Sequence, residues 1–236
     1  LAFAIFIVSL WLRLIATNGD GYALAIFLGA ISLAGFVTGL LFTGKTWCNY
    51  VCPVFFAEKL YTEPRGLLET PNSQCQVCTA CRPICPDINE ENSYWKDILL
   101  PDKRHVFYAF PGVVLAFYVY YFLQAGTWEY SFGGRWTHEV GLFPTAFRGG
   151  SDAATAGLFF WPSLPRAIAA VATLVIGAVV SITLFSLAER PIGLFLRRRD
   201  HMADTTHERH VMFSLAAFTA FVAFYSFAGA PTLRLV

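Results

Sequence analysis

Charge is what this sequence has least of. Asp, Glu, Lys and Arg make up 14% of its 236 residues, against about 25% in an ordinary soluble domain. That shortage excludes a freely soluble globular protein. A net charge of +1 supplies no basic surface for nucleic acid. There is no glycine-rich phosphate loop, no dinucleotide fingerprint and no nucleophile triad, so the common signatures of nucleotide and acyl chemistry are missing. A C-x-x-C-H haem attachment run is also absent. Cysteine is missing from most of the chain, because all six lie between positions 48 and 85. Such clustering argues against a secreted disulfide framework and for a reducing compartment.

What is abundant is apolar: 56% of residues are hydrophobic and 17% aromatic. Residues 1–16 are apolar except Ser9 and Arg13 and read as the latter part of a spanning helix, so the chain reads as a fragment. Arg13 is expected to snorkel to the headgroups. A TNGDG turn follows, and then residues 22–43 without a formal charge, about 33 Å as a helix and enough to cross a bilayer. Gly35-x3-Gly39 offers that helix a close-packing face. Residues 44–105 are the segment dense in cysteine and acidic residues. A third apolar run covers 106–126, with Pro111-Gly112 near its start as a kink or the true beginning. Residues 127–165 form a loop whose apolar patches are too short to span and suit an interfacial or re-entrant segment. The fourth run, 166–188, carries Gly177-x3-Ser181 as a small-residue face. An arginine-rich linker, 189–210, leads to a last run at 211–230.

The expected fold is therefore an all-α integral membrane protein of about five transmembrane helices: two in 1–43, one in 106–126 and two in 166–236. Loop charge sets the expected orientation. Segment 44–105 holds seven Lys/Arg and the 189–210 linker five, against three in 127–166. The positive-inside rule puts the cysteine segment and Arg197, Arg198 and Arg199 on the cytoplasmic side, with the 127–165 loop opposite.

The chemistry sits in Cys75 to Pro86, CQVCTACRPICP, which is a C-x2-C-x2-C-x3-C-P run. That is the spacing that wraps a [4Fe–4S] cluster in bacterial ferredoxins. It lets Cys75, Cys78 and Cys81 curl one loop around a cuboidal cluster, each thiolate reaching a different iron. The uncharged residues between them let backbone N–H groups approach the cluster sulfurs. A structural zinc site and inert buried thiols are the weaker readings. Just upstream, Cys48 and Cys52-Pro53 repeat the back half of the run, C-x3-C-P.

Two wirings follow. In two-cluster ferredoxins the cysteine before proline ligates the other cluster. On that logic Cys75, Cys78, Cys81 and Cys52 hold one cluster. Cys48 and Cys85 then remain for a second, completed by further chain, another subunit or other ligands. Otherwise Cys85 closes a single cluster with its own loop. The 22 residues between Cys52 and Cys75 allow the return in either case.

A spanning helix running into WCNYVCP, then a ferredoxin-type run and more helices, resembles the membrane-bound polyferredoxin family of NapH-, NosR- and CcoG-type proteins. The resemblance covers residues 22–125 by motif. It implies electron transfer between the quinone pool, or another redox carrier, and a partner protein or subunit, in a bacterial inner membrane. One [4Fe–4S] cluster is expected, with a second cluster and a bound quinone left open. The alternatives are a quinol- or metal-oxidoreductase using the cluster as an internal wire, and a membrane scaffold or assembly protein with a structural metal site.

Other residues attract notice for less. Trp47, Tyr50, Phe55, Phe56 and Tyr61 could line a quinone pocket, but an interfacial aromatic belt is the simpler expectation. His105 and His210 stand at helix ends and are expected to be solvated there. The HERH run at 207–210 lacks the i, i+4 histidine pair of zinc proteases and reads as a polar linker. The arginine triplet reads as an orientation anchor, with lipid headgroups as a second role.

Overall fold

A computed structural model describes residues 2–17, 20–42, 47, 51–52, 90–128, 142–147, 157–160, 163–199 and 205–233. Among the described residues every regular element is a helix. α1 (Ala2–Leu12) runs into a π-turn (Arg13–Thr17), and α2 spans Gly21–Leu41. After the cysteine segment come α3 (Glu90–Asp97) and α4 (Pro101–Ala125). A short α5 (Leu142–Ala146) and a 3₁₀ turn (Leu158–Phe160) precede α6 (Arg166–Arg199) and α7 (Thr205–Leu233).

Local chemistry sets several of these ends. Asp20 caps α2, its carboxylate accepting from the amides of Tyr22 and Ala23 at 3.0 Å each. Pro101 opens α4, where its missing N–H costs nothing, and Gly126 closes it at φ 75° with its amide on the Phe122 carbonyl. Among the described residues four helices are long and apolar enough to cross a membrane: α2, α4, α6 and α7. With its π-turn, α1 has 16 residues, about 24 Å and short of a hydrocarbon core of about 30 Å.

The bundle is built around α4, which packs most extensively on α6 and then on α7. Small residues allow this. A Cβ on Gly112 would overlap the Gly177 carbonyl, and one on Gly177 would lie 2.5 Å from the Ala116 Cβ. The two backbones therefore touch, as helices do in lipid where van der Waals fit replaces the hydrophobic drive. Ser181 then donates to the Tyr108 carbonyl at 2.6 Å. This bond lies one residue from the Phe107 carbonyl, which Pro111 leaves without its i+4 amide. The Gly177-x3-Ser181 face is thus the α4–α6 seam, and α4 runs unbroken through Pro111. The Gly35-x3-Gly39 face meets no described helix: a Cβ on Gly39 would have nothing within 4 Å, and one on Gly35 would meet the Trp47 ring.

Two expectations about helix ends need correcting. Arg197, Arg198 and Arg199 belong to α6, not to a linker, because α6 continues through Pro191. The HERH run at 207–210 likewise forms the first turns of α7. With 34 residues, α6 is about 51 Å long and outruns the bilayer core. Its overhang is tied to α7 by the Arg197 guanidinium, which holds both oxygens of Glu208, Nη2 to Oε2 at 3.0 Å. Gly193 makes room there, since a Cβ at that position would lie 3.1 Å from a Glu208 oxygen.

Candidate functional site

Of the six candidate ligands, Cys48, Cys75, Cys78, Cys81 and Cys85 lie outside the described residues. Cys52 is described. It is half-buried and not in a disulfide, and its amide donates to the Trp47 carbonyl at 2.8 Å. That i to i+5 bond closes a π-type turn just beyond α2. The Trp47 indole folds back on the helix, 3.6 Å from where a Gly35 Cβ would stand. A Cβ there would be in ordinary van der Waals contact with the ring. The Trp47 ring, adjacent in sequence to Cys48, thus packs on α2 at position 35, while the Trp47 carbonyl holds the Cys52 amide. Tyr50, Phe55, Phe56 and Tyr61 are outside the described residues.

The exit from the cysteine segment is also held. α3 begins five residues after Cys85 and docks on the start of α7 through Tyr94 and Ile98, both essentially buried against Met212 and Phe213. The Tyr94 hydroxyl is 2.8 Å from Nδ1 of His210. The Trp95 ring lies 5.1 Å from the imidazole. His210 is 3% exposed, so it is a core residue of this dock and not the solvated interfacial histidine expected. His105 is exposed, as expected.

Charge completes the dock. Arg209 Nη1 donates to the carbonyls of Ile98 at 3.3 Å and Leu99 at 3.1 Å. These are carbonyls at the C-terminal end of α3, where a cation also meets the negative end of the helix dipole. Arg209 and Arg104 share one carboxylate: Glu189 lies 3.5 Å from Arg104 Nε and 3.9 Å from Arg209 Nε. Arg104 also reaches Ser186 Oγ at 3.3 Å and stands 5.7 Å from the Tyr108 ring centre. The ion cluster joins α4, α6 and α7 at the bundle end where α3 sits. Nothing local in the sequence marks it, since Tyr94 and His210 are 116 residues apart. The one available signal was Glu189, a carboxylate directly after a long apolar run.

A family model described as a 4Fe-4S binding domain matches residues 24–71. The match covers α2 from Leu24 onward, the Trp47–Cys52 turn and the Cys48/Cys52 pair, and it ends before Cys75. No curated protein and no solved structure matches the chain. The match supports an iron–sulfur protein, and the four long apolar helices define a helical membrane protein. The donor set fits that group. Cysteine thiolates are the soft ligands iron–sulfur clusters take, and Cys52 presents a half-buried thiol, in no disulfide, on the turn that follows α2. Among the described residues no group of three His, Cys, Asp or Glu gathers to hold a metal ion.

Proposed function

We propose that this chain is a membrane-bound electron-transfer protein that relays electrons between the quinone pool, or another redox carrier, and a partner protein. The observation that carries the reading is the overlap of the 4Fe-4S binding domain match at 24–71 with the C-x3-C-P turn, immediately upstream of the full C-x2-C-x2-C-x3-C-P run. When bound, a [4Fe–4S] cluster supplies one-electron chemistry. The chain's own residues supply its ligands and anchor them. Cys75, Cys78 and Cys81 act with Cys52 as the fourth ligand, which leaves Cys48 and Cys85 for a second cluster; in the alternative, Cys85 in place of Cys52 closes a single cluster. The Trp47 ring packs on α2 before the segment, and the Tyr94–His210 dock fixes the chain after it. The setting is a bacterial plasma membrane with the cysteine segment facing the cytoplasm.

Iron and acid-labile sulfide per chain, measured on anaerobically purified protein, test the reading. About four of each per cluster is expected for a [4Fe–4S] centre. Cys78→Ser should remove or convert the cluster, because a hydroxyl is a hard ligand where iron–sulfur chemistry needs a soft one. Colourless protein carrying zinc and no iron would replace the relay with a scaffold holding a structural metal site.

A further inference from the structure

α6 continues for ten residues beyond Glu189, as far as Arg199. Glu189 marks the edge of the bilayer for three helices at once, since it faces Arg104 of α4 at 3.5 Å and Arg209 of α7 at 3.9 Å. Each of these charges lies within two residues of an apolar run, 106–126, 166–188 or 211–230, so one boundary serves the whole bundle end. Leu194 is five residues past that boundary and Arg198 nine, about 7.5 Å and about 13.5 Å farther along the helix. The headgroup layer is only about 5–7 Å thick on each side. The last turns of α6 therefore stand at or beyond the membrane surface.

This overhang has two faces. Ile192 packs beside the Tyr94 and Phe213 cluster, Gly193 lies under the Glu208 carboxylate, and Glu189 faces the two arginines, so these three turn inward. Leu187, Arg190, Pro191, Leu194, Phe195 and Arg198 follow one another at the spacing of a single helix face, and all are exposed. Leu194 is 62% exposed and Phe195 60%. Side chains so open are at home against lipid tails, but these two stand past the hydrocarbon. Among the described residues no carboxylate pairs with Arg190 or Arg198. The nearby acids are already held, Glu189 by Arg104 and Arg209 and Glu208 by Arg197. The face thus presents two large apolar side chains between two uncommitted cations, and aromatic residues and arginine are what protein interfaces are enriched in.

We propose that this face of α6 docks the acidic side of a small soluble electron-carrier protein, with an apolar contact on Leu194 and Phe195 and carboxylates on Arg190 and Arg198. Charge complementarity selects the sign: a basic carrier would meet like charge, with no acid on this face to offset it. An anionic membrane surface could satisfy Arg190, but it would leave Phe195 and Arg198 above it. Three turns of one helix make a small contact, which suits the weak, transient encounters of electron carriers. The face also shares its bundle end with α3, the helix that leaves the cysteine segment. That the docked protein carries electrons rests on the relay reading above; that it is acidic rests on the face alone.

The full chain in nanodiscs of neutral phosphatidylcholine would be titrated with an acidic flavodoxin and, as the charge-reversed control, a basic cytochrome c. Flavodoxin should bind, with affinity falling as salt rises, and cytochrome c should not. Arg190→Gln combined with Arg198→Gln should weaken flavodoxin binding roughly fivefold and flatten its salt dependence. Leu194→Ala combined with Phe195→Ala should weaken it roughly tenfold and leave the salt dependence in place. Leu33→Ala, as exposed as Leu194 but inside the span of α2, should bind like the wild type. Phe195→Trp in discs of tail-brominated lipid tests the membrane as the rival occupant: its added fluorescence should escape quenching. Quenching at position 195, equal binding of cytochrome c, no binding of flavodoxin, or flavodoxin binding that neither pair of substitutions moves would each overturn the proposal. Iron counted in the same preparation keeps the two readings apart. Iron-free protein that still docks flavodoxin through this face would sink the relay and support the dock, and iron-loaded protein that does not dock it would do the reverse.

Discussion

Tyr94 and His210, 116 residues apart, meet through a 2.8 Å contact between the phenol hydroxyl and Nδ1. One belongs to the helix that leaves the cysteine segment, the other to the last long helix. With Arg209 on the carbonyls of Ile98 and Leu99, the pair turns an eight-residue helix into part of the bundle. Alone, a helix that short would be marginal in water.

The first prediction follows from that contact. Tyr94→Phe keeps the ring and its packing and removes only the hydroxyl, leaving Nδ1 of a buried imidazole without this hydrogen-bond partner. The cost should be about 1–3 kcal/mol, borne locally. Hydrogen exchange should speed up in the α3 amides while α6 keeps its protection. Equal acceleration across α3 and α6 would show that the pair supports the whole bundle and not the dock.

A second prediction compares two glycines. Gly177→Leu must push α6 off α4, because even a Cβ would stand 2.5 Å from Ala116 and 2.7 Å from the Gly112 carbonyl oxygen. Overpacking of that kind costs about 1–3 kcal/mol or more, read as a lower thermal midpoint in detergent. Gly39→Leu, where a Cβ meets nothing within 4 Å, should leave the midpoint unchanged. A large loss at position 39 would mean that α2 packs tightly on another surface in the membrane.

The four spanning helices were legible because each is a contiguous apolar run, and length against bilayer thickness decides the matter. Their packing was less so. A helix apolar on all sides carries no stripe to say which face meets a neighbour, and only Gly177 and Ser181 marked a seam in advance. The arginine triplet was misplaced into a linker because Pro191 reads as a helix end. In the fold its flanking residues are held by Arg197 on Glu208, a pairing eleven residues apart that no local rule announces. Arg13 shows the same limit: it lines a cavity between α1, α4 and α7 that no local signal in the sequence announces. Cysteine spacing, by contrast, is chemistry written directly in sequence, and the family match at 24–71 agrees with its upstream half.

Orientation gives the third prediction. Cys75 and Arg198 should share one side of the membrane and Trp136 the other, from the excess of Lys and Arg in 44–105 and 189–210. Single-cysteine labelling from outside intact cells, on cysteine-free backgrounds bearing Arg198→Cys or Trp136→Cys, should modify only position 136. Modification of both positions would overturn the arrangement.

The last prediction separates the two wirings of the cysteines. The matched domain, residues 24–71, contains only Cys48 and Cys52, too few for a cluster that takes four thiolates. It must draw ligands from elsewhere, and the nearest are Cys75, Cys78 and Cys81. Cys52 is suited to meet them: its amide is spent on the Trp47 carbonyl, and Pro53 offers no amide of its own. Cys85 precedes proline at the same x3 spacing, which in two-cluster ferredoxins aims the last thiolate away from its own loop. Cys52→Ala should therefore strip most iron from the anaerobically purified protein, whereas Cys85→Ala should leave the first cluster largely intact. If Cys85 closes its own loop, the two results exchange places. Loss of all iron in both variants would instead indicate two interdependent clusters, each short of ligands unless another chain or segment supplies them.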